Sequence, residues 1–356
     1  MKALFLAVFI LIFSTVFCFK VGFIYIGPVE DCGWTYAHEF GRQYIEMMIN
    51  DLETEYYENV SGGKESADKL RKLAENGCDL IFATSYDYMD SVLEVATEYP
   101  DVIFMHCSGN KRSENVGTYF GRMYQADFLA GLVAGKTSKT NLIGYVAPVK
   151  IPEVVRGINA FAIGVNKAND DAKVLLEWIG DWTDKEKEVA ATEKLIKHGV
   201  DVVAHGMDTA TVNITADKFG IWSIGYNYDM SKYAFDTHLT APVWYWGQLY
   251  LDIVESVIHG TWKSEALWPG IDSGIVGLAP LNSFVSSETR RLIEKYRIDM
   301  ILERFHVFEG PLRNQLGEVK IKKGAVPDDH YLLTIDWLVE NIEDDEGMSE
   351  RVPHIH

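Results

Sequence analysis

From Lys20 onward the chain alternates short apolar runs with stretches of helical spacing, and this alternation limits its fold more than any other feature. Val21–Ile26 is a branched apolar run that stops at Gly27-Pro28, and Ala37–Ile49 has helical spacing. Glu53–Tyr57, Leu80–Ala83 and Val102–Met105 read as further strands, with helices over Lys64–Ala74 and Met89–Thr97. Such βα repetition argues for a parallel sheet covered by helices on both faces. A second series comes after a helix over Gln125–Lys136. Its strands are Leu142–Val146, Lys173–Trp178, Asp201–Ala204 and Ile221–Ile224, and its helices Glu153–Asn166, Lys185–His198 and Val212–Lys218. Pro152 suits the first turn of its helix. Further on, Val243–His259 is predicted as an aromatic-rich helix, Ile275–Ala279 as a strand and Ser287–Arg304 as a long polar helix.

No Ser/Gly/Pro-rich linker separates the two series, which fits lobes joined by several close crossovers rather than by a tether. Crossovers are expected near Gly121–Asp127, Leu239–Val243 and Ser264–Pro269, with the helix over Val243–His259 returning to the first lobe. Residues 20–124 and 242–264 then make the N-terminal lobe, 125–241 and 265–342 the C-terminal lobe, and the charged residues 343–356 a flexible tail. A length of 356 residues agrees with two domains.

The N-terminus differs from the rest. Met1-Lys2 precedes an apolar run from Ala3 to Phe19, the pattern of a secretory signal segment over residues 1–19. An uncleaved membrane anchor is the competing reading. Cys18 is the candidate site for a lipid, although Phe17 suits poorly the small residues that precede a lipidated cysteine. Membrane contact is expected only through such a lipid, and the mature protein is expected outside the cytoplasmic membrane, periplasmic or at the cell surface. A formal net charge of -19 would repel nucleic-acid phosphates and anionic lipid, so nucleic acid is excluded as a partner. Cys32, Cys78 and Cys107 cannot all pair, and no cysteine–histidine metal spacing occurs. No cofactor and no metal are expected.

In a doubly wound sheet ligands sit beyond the carboxyl ends of the strands, and with two such lobes the cleft between them is the expected site. The candidates are the residues after each strand: the loop Gly27–Trp34, then Ser85, Tyr86 and Ser108 in the first series, and Trp182, Asp208, Tyr226, Asn227 and Asp229 in the second. Trp34 and Trp182 hold comparable places, each after a strand, near an acidic residue, at a helix start. One indole from each lobe would sandwich a flat heterocycle. Asp208 reads two ways: as the N-cap of a helix beginning at Thr209 or Thr211, or as an acceptor for an amino group or ring N–H of a purine. The loop Gly27–Gly33 is neither a Walker loop nor a GxGxxG fingerprint. No GxSxG, HExxH or kinase-like set appears, and His106 and His205, both after strands, lack a visible catalytic partner, so no enzymatic activity is expected.

Val21-Gly22-Phe23-Ile24-Tyr25-Ile26-Gly27-Pro28, running on to Gly33-Trp34-Thr35-Tyr36-Ala37-His38, resembles the opening of the basic membrane protein family, solute-binding proteins of ABC importers. Thr84–Asp90, Pro152–Asn159 and Gly260–Ser264 carry the resemblance further, over about Lys20 to Val339. It implies a two-lobed type I periplasmic-binding-protein-like α/β fold that closes on ligand by hinge motion, an ABC transporter permease as partner, and a purine as ligand. It also implies that Trp34 and Trp182 form the aromatic clamp. Nucleoside-binding relatives serve the sugar with an acidic residue and a lysine where this chain has Asn227 and Trp244, and place an aspartate where it has Ser108. That loss of charge shifts the expectation from a nucleoside to an adenine-like free base.

Overall fold

A computed structural model of the chain describes residues 19–30 and 32–344. Residues 1–18 of the expected signal segment, with Cys18, the loop residue Asp31 and the tail beyond 344 lie outside the described residues. The first lobe contains β1 (Lys20–Ile24), α1 (Trp34–Met48), β2 (Glu53–Tyr57), α2 (Lys64–Glu75), β3 (Leu80–Ala83), α3 (Met89–Glu98), β4 (Ile103–Cys107) and β5 (Val116–Tyr119). The second contains α4 (Tyr124–Thr137), β6 (Leu142–Ala147), α5 (Pro152–Ala168), β7 (Lys173–Trp178), α6 (Lys185–Lys197), β8 (Val202–His205), α7 (Thr211–Lys218), β9 (Trp222–Ile224) and β10 (His238–Thr240). Then come β11 (Pro242–Trp244), α8 (Trp246–Ile258), β12 (Ala266–Leu267), β13 (Val276–Leu278), α9 (Ser287–Ile301), β14 (Leu312–Arg313), β15 (Val319–Ile321), α10 (Asp329–Leu333) and β16 (Ile342–Glu343).

Two six-stranded sheets result, ordered β12-β5-β4-β3-β1-β2 and β10-β9-β8-β6-β7-β16. Every pairing within them is parallel. The burial pattern explains which sequences go where. β3 reads Leu-Ile-Phe-Ala and is buried throughout, as a central strand with helices on both faces must be. β2 reads Glu-Thr-Glu-Tyr-Tyr and stands at a sheet edge, where polar residues discourage pairing with another chain. In each sheet the chain order reverses between the first and third strands, at β1/β3 and β6/β8, and a crevice opens at such a switch point.

The connections between the lobes are hydrogen-bonded to one another. β11 and β13 form an antiparallel ribbon, extended by Ala279 N–H to the Ala241 carbonyl and Tyr245 N–H to the Ile275 carbonyl, both 2.8 Å. The connection after β5 joins the one after β12 through Phe120 N–H to the Leu267 carbonyl and Arg122 N–H to the Pro269 carbonyl, both 2.9 Å. The Trp268 ring lies under the guanidinium of Arg122 at 4.2 Å and that of Arg156 at 5.1 Å.

Three local expectations change. The helix over Val243–His259 begins later: Val243 and Trp244 pair with Gly277 and Val276, and that tertiary ladder overrides helical spacing. β5, β10, β12 and β16 are strands that the apolar pattern alone does not signal, being two to four residues long. β12 pairs with β5, so the first sheet continues beyond residue 264 as far as Leu267, and Glu343 belongs to a strand rather than to the tail.

α4 and α5 pack at glycines. A Cβ on Gly131 would lie 2.0 Å from the Phe161 carbonyl oxygen, and one on Gly164 would lie 2.1 Å from that of Phe128. The obstacle is backbone, so it cannot rotate away. Gly131→Ala is expected to destabilise the protein by about 3 kcal/mol or more, as overpacking against rigid neighbours does. Urea denaturation measures this as a lowered midpoint; an unchanged midpoint would contradict the close approach.

Candidate functional site

The loops after the strands bring Trp34, Asp208, Asn227 and Trp244 into one connected group. Trp34 opens α1 and its Nε1–H donates to the Thr84 carbonyl, 2.8 Å away at the end of β3. The indole is therefore pinned across the β1/β3 switch point. Behind it runs a column of parallel rings: Trp244 on Trp246 at 4.5 Å and 11°, and Trp246 on His38 at 4.9 Å and 8°. Trp34 stands edge-on to all three, at 81–86°. Offset and edge contacts of this kind favour one ring orientation beyond plain burial.

Asn227 links the column to the second lobe. Trp244 Nε1–H donates to Asn227 Oδ1 at 2.9 Å, and Asn227 Nδ2–H donates to Asp208 Oδ1 at 2.8 Å. Asn227 takes a left-handed backbone, φ 66°, which asparagine tolerates better than most residues. Asp208 is not a helix cap. α7 starts at Thr211 after Ala210, and the Thr211 N–H is met by Thr209 Oγ1 at 3.1 Å. The carboxylate of Asp208 instead faces Asn227, while its backbone N–H donates to the Trp182 carbonyl at 3.1 Å. Trp182 is half-buried, and its indole has no aromatic neighbour among the described residues.

The remaining candidates scatter. Ser85 accepts from the Asp87 N–H in its own 3-10 turn, and Tyr86 on that turn is 58% exposed. Ser108, also left-handed at φ 60°, is half-buried after β4. Tyr226 is half-buried beside the second-lobe loops, and Asp229 accepts from the Ser231 N–H at 2.9 Å. Trp244 is 2% exposed, a wall behind Trp34 rather than a cleft surface. His106 and His205 do not meet. Each is buried, bonded respectively to the Ser85 carbonyl at 2.8 Å and to Asn213 Oδ1 at 2.7 Å, and each is lowered by burial to about 4. Neutral, sequestered imidazoles of this kind are not poised as general bases near pH 7.

The lobes touch along a seam. Cys32 bonds the Tyr233 hydroxyl, and Tyr36 meets Tyr228 edge-on at 4.6 Å. Gly33 is so close to the second lobe that a Cβ there would lie 2.4 Å from the Asp208 carbonyl oxygen. Asp127 and Arg156 are buried charged residues that were not among the candidates; Asp127 interrupts the otherwise apolar Ala126–Gly135 stretch.

The chain matches the family model described as ABC transporter substrate-binding protein PnrA-like over residues 18–308. It is 38% identical over 327 residues to a purine-binding protein of Brucella abortus, covering 91% of this chain and 93% of that one. It is 34% identical over 291 residues to a Haloferax volcanii protein named for glucose binding in an ABC transporter, covering 82% and 74%. Among solved structures, an ABC transporter solute-binding protein from Conexibacter woesei aligns with a TM-score of 0.71 at 19% identity, covering 81% of this chain and 98% of that one. A transcriptional activator of the comK gene from Bacillus halodurans aligns at 0.72 and 24% identity, covering 79% and 97%. The solute-binding neighbours share the two-lobed fold of type I periplasmic binding proteins.

Gly33→Ala is expected to hold the lobes apart, because the new methyl group meets backbone across the seam. Small-angle X-ray scattering should give a larger radius of gyration for the variant than for the parent protein; equal values would show that the seam tolerates the Cβ.

Proposed function

The chain belongs to the PnrA-like family of ABC transporter substrate-binding proteins, and from that premise we propose that it is an extracytoplasmic receptor for a purine, an adenine-like free base ahead of a nucleoside, which it presents to an ABC importer. Members of this family bind a small molecule and deliver it to a transporter without chemistry of their own. Among the described residues, no helix is long and apolar enough to cross a membrane.

The observation that carries the ligand reading is the bonding of Asn227 and Trp244. The resemblance puts sugar-serving charge at these two positions in nucleoside binders. Here Asn227 is 1% exposed with its amide spent on Trp244 and Asp208, and Trp244 fills the space with its N–H already used. Trp244 has no donor left for ribose hydroxyls, and Asn227, so fully buried, offers them almost no surface. What the cleft offers instead is an anchored indole in Trp34, a half-buried one in Trp182 on the other lobe, and the carboxylate of Asp208, the kind of group that accepts from an amino group or ring N–H. Flat aromatic faces suit a heterocycle and carry no preference for glucose. The purine-binding relative in Brucella abortus supports the same class.

Binding is coupled to closure. Trp34 and Trp182 belong to different lobes, so a ring held between them favours the conformation in which Gly33 and Asp208 meet, and the ligand shifts the population toward it. The importer then has a closed surface to distinguish from an open one.

Calorimetry with adenine, adenosine, guanine, inosine and glucose tests the proposal. Adenine should bind most tightly. Trp34→Ala should weaken it by about 1–3 kcal/mol through loss of one stacking face, and Asp208→Ala by about 1.5–3 kcal/mol through loss of a charged hydrogen bond. Nucleosides binding more tightly than every free base would overturn the reading of Asn227 and Trp244. Binding of glucose and of no purine would overturn the ligand class.

A further inference from the structure

β8 ends at His205, and the loop that carries Asp208 begins with Gly206-Met207. A side chain turns the backbone there. The Met207 N–H donates to His205 Nδ1 at 3.1 Å, two residues on from the ring. Nδ1 stands as many bonds from the backbone as the Oδ1 of an asparagine, so the imidazole closes the equivalent of an Asx turn. The amides on either side have backbone partners: Gly206 N–H donates to the Val146 carbonyl at 3.0 Å, and Asp208 N–H to the Trp182 carbonyl at 3.1 Å. Met207 is fully buried, so its N–H depends on the imidazole rather than on water.

That single bond sets the direction of a longer chain. A backbone N–H only donates, so Nδ1 of His205 carries no proton. The proton of the neutral ring is then on Nε2, which donates to Asn213 Oδ1 at 2.7 Å. The Asn213 amide nitrogen donates in turn to Ser223 Oγ at 3.0 Å and to His238 Nδ1 at 3.3 Å. His238 therefore also has its proton on Nε2, 3.7 Å from Asp229 Oδ1. All four side chains are buried, and burial lowers both imidazoles to about 4, so both are neutral at pH 7. The chain runs from β8 through α7 and β9 to β10, and Asn213 presents to His205 the one amide atom that accepts.

We infer that His205 is a positioning residue of the ligand site: its Nδ1 holds the Met207 amide and so aims the Asp208 carboxylate, while Asn213 fixes the tautomer in which Nδ1 accepts. This rests on the purine reading above. Asp208 is the next residue along, with its carbonyl against Gly33 of the first lobe and its Oδ1 on the Asn227 amide. A turn that opens at Met207 displaces that carboxylate from both. A role confined to stability would run instead through Nε2, which pins α7 to β8. The two ring nitrogens thus carry different consequences, and amide side chains separate them. Asparagine places an acceptor where Nδ1 is and nothing where Nε2 is. Glutamine reaches the place of Nε2 and leaves the Met207 N–H without an acceptor.

Calorimetry with adenine on the parent protein, His205→Gln, His205→Asn, Asp208→Ala and the double variant His205→Gln/Asp208→Ala tests this. His205→Gln should weaken adenine by about fivefold or more, the effect of a buried amide losing its acceptor. His205→Asn should recover most of that loss. In the Asp208→Ala background His205→Gln should cost nothing further, because the imidazole acts through that carboxylate. Nitrogen NMR of the parent protein with isotope-labelled histidine should show His205 protonated on Nε2 and bare on Nδ1, with and without adenine; this needs no variant, and decides the matter if the variants do not fold. Adenine binding by His205→Gln within about twofold of the parent, a loss in His205→Asn as large as in His205→Gln, additive losses in the double variant, or a proton on Nδ1 would each overturn the positioning role alone. A parent protein that binds no purine would overturn the receptor reading, and this inference with it.

Discussion

The hydrogen bond from the Asn227 amide to the Asp208 carboxylate is the interaction on which the arrangement of the cleft depends. Asn227 is buried, left-handed and bonded on its other side to Trp244. It therefore ties a second-lobe carboxylate to an aromatic column seated on the first-lobe helices α1 and α8. Through that column it braces Trp34, whose own N–H is committed to the end of β3. An amide is suited to this place because it donates to one neighbour and accepts from the other. An aspartate could not donate, and would set two carboxylates against each other in a poorly hydrated seam.

Trp244 is buried and fills its place with an indole, and the neighbouring Asn227 amide is bonded within the protein, to Trp244 and Asp208. Buried donors and acceptors without protein partners cost stability, commonly by a few kcal/mol each, and the two internal bonds of Asn227 offset that cost at its place in the seam.

Much of the fold was legible because its strands are buried on both faces. Leu80–Ala83 and Lys173–Trp178 read from the sequence with the boundaries they have in the structure, and the β/α alternation was enough to place Trp34, Trp182 and Asp208 after strands. The short strands were not legible. β12 and β16 have two residues each and exist only because β5 and β7 offer them an edge. The start of α8 failed for a related reason: Val243 and Trp244 share the helical spacing of Trp246–Ile258, but pair across to β13. In the site, periodicity could not say whether Asp208 capped its own helix, because that depends on where α7 begins by two or three residues. Nor could it reveal that Trp244 backs Trp34, a contact between residues far apart in the chain that only tertiary structure creates.

The interleaving of the lobes has a consequence for how such a chain acquires its shape. The first sheet takes its last strand, β12, from residues that come after five strands of the second sheet, β6 to β10, and the second takes β16 from Ile342–Glu343. Neither sheet is complete in any contiguous stretch, so loop closure must join distant positions before either core is finished. A polypeptide emerging from the ribosome lacks the edge strand of its second sheet until almost its entire length has appeared. That sheet stays unfinished during synthesis.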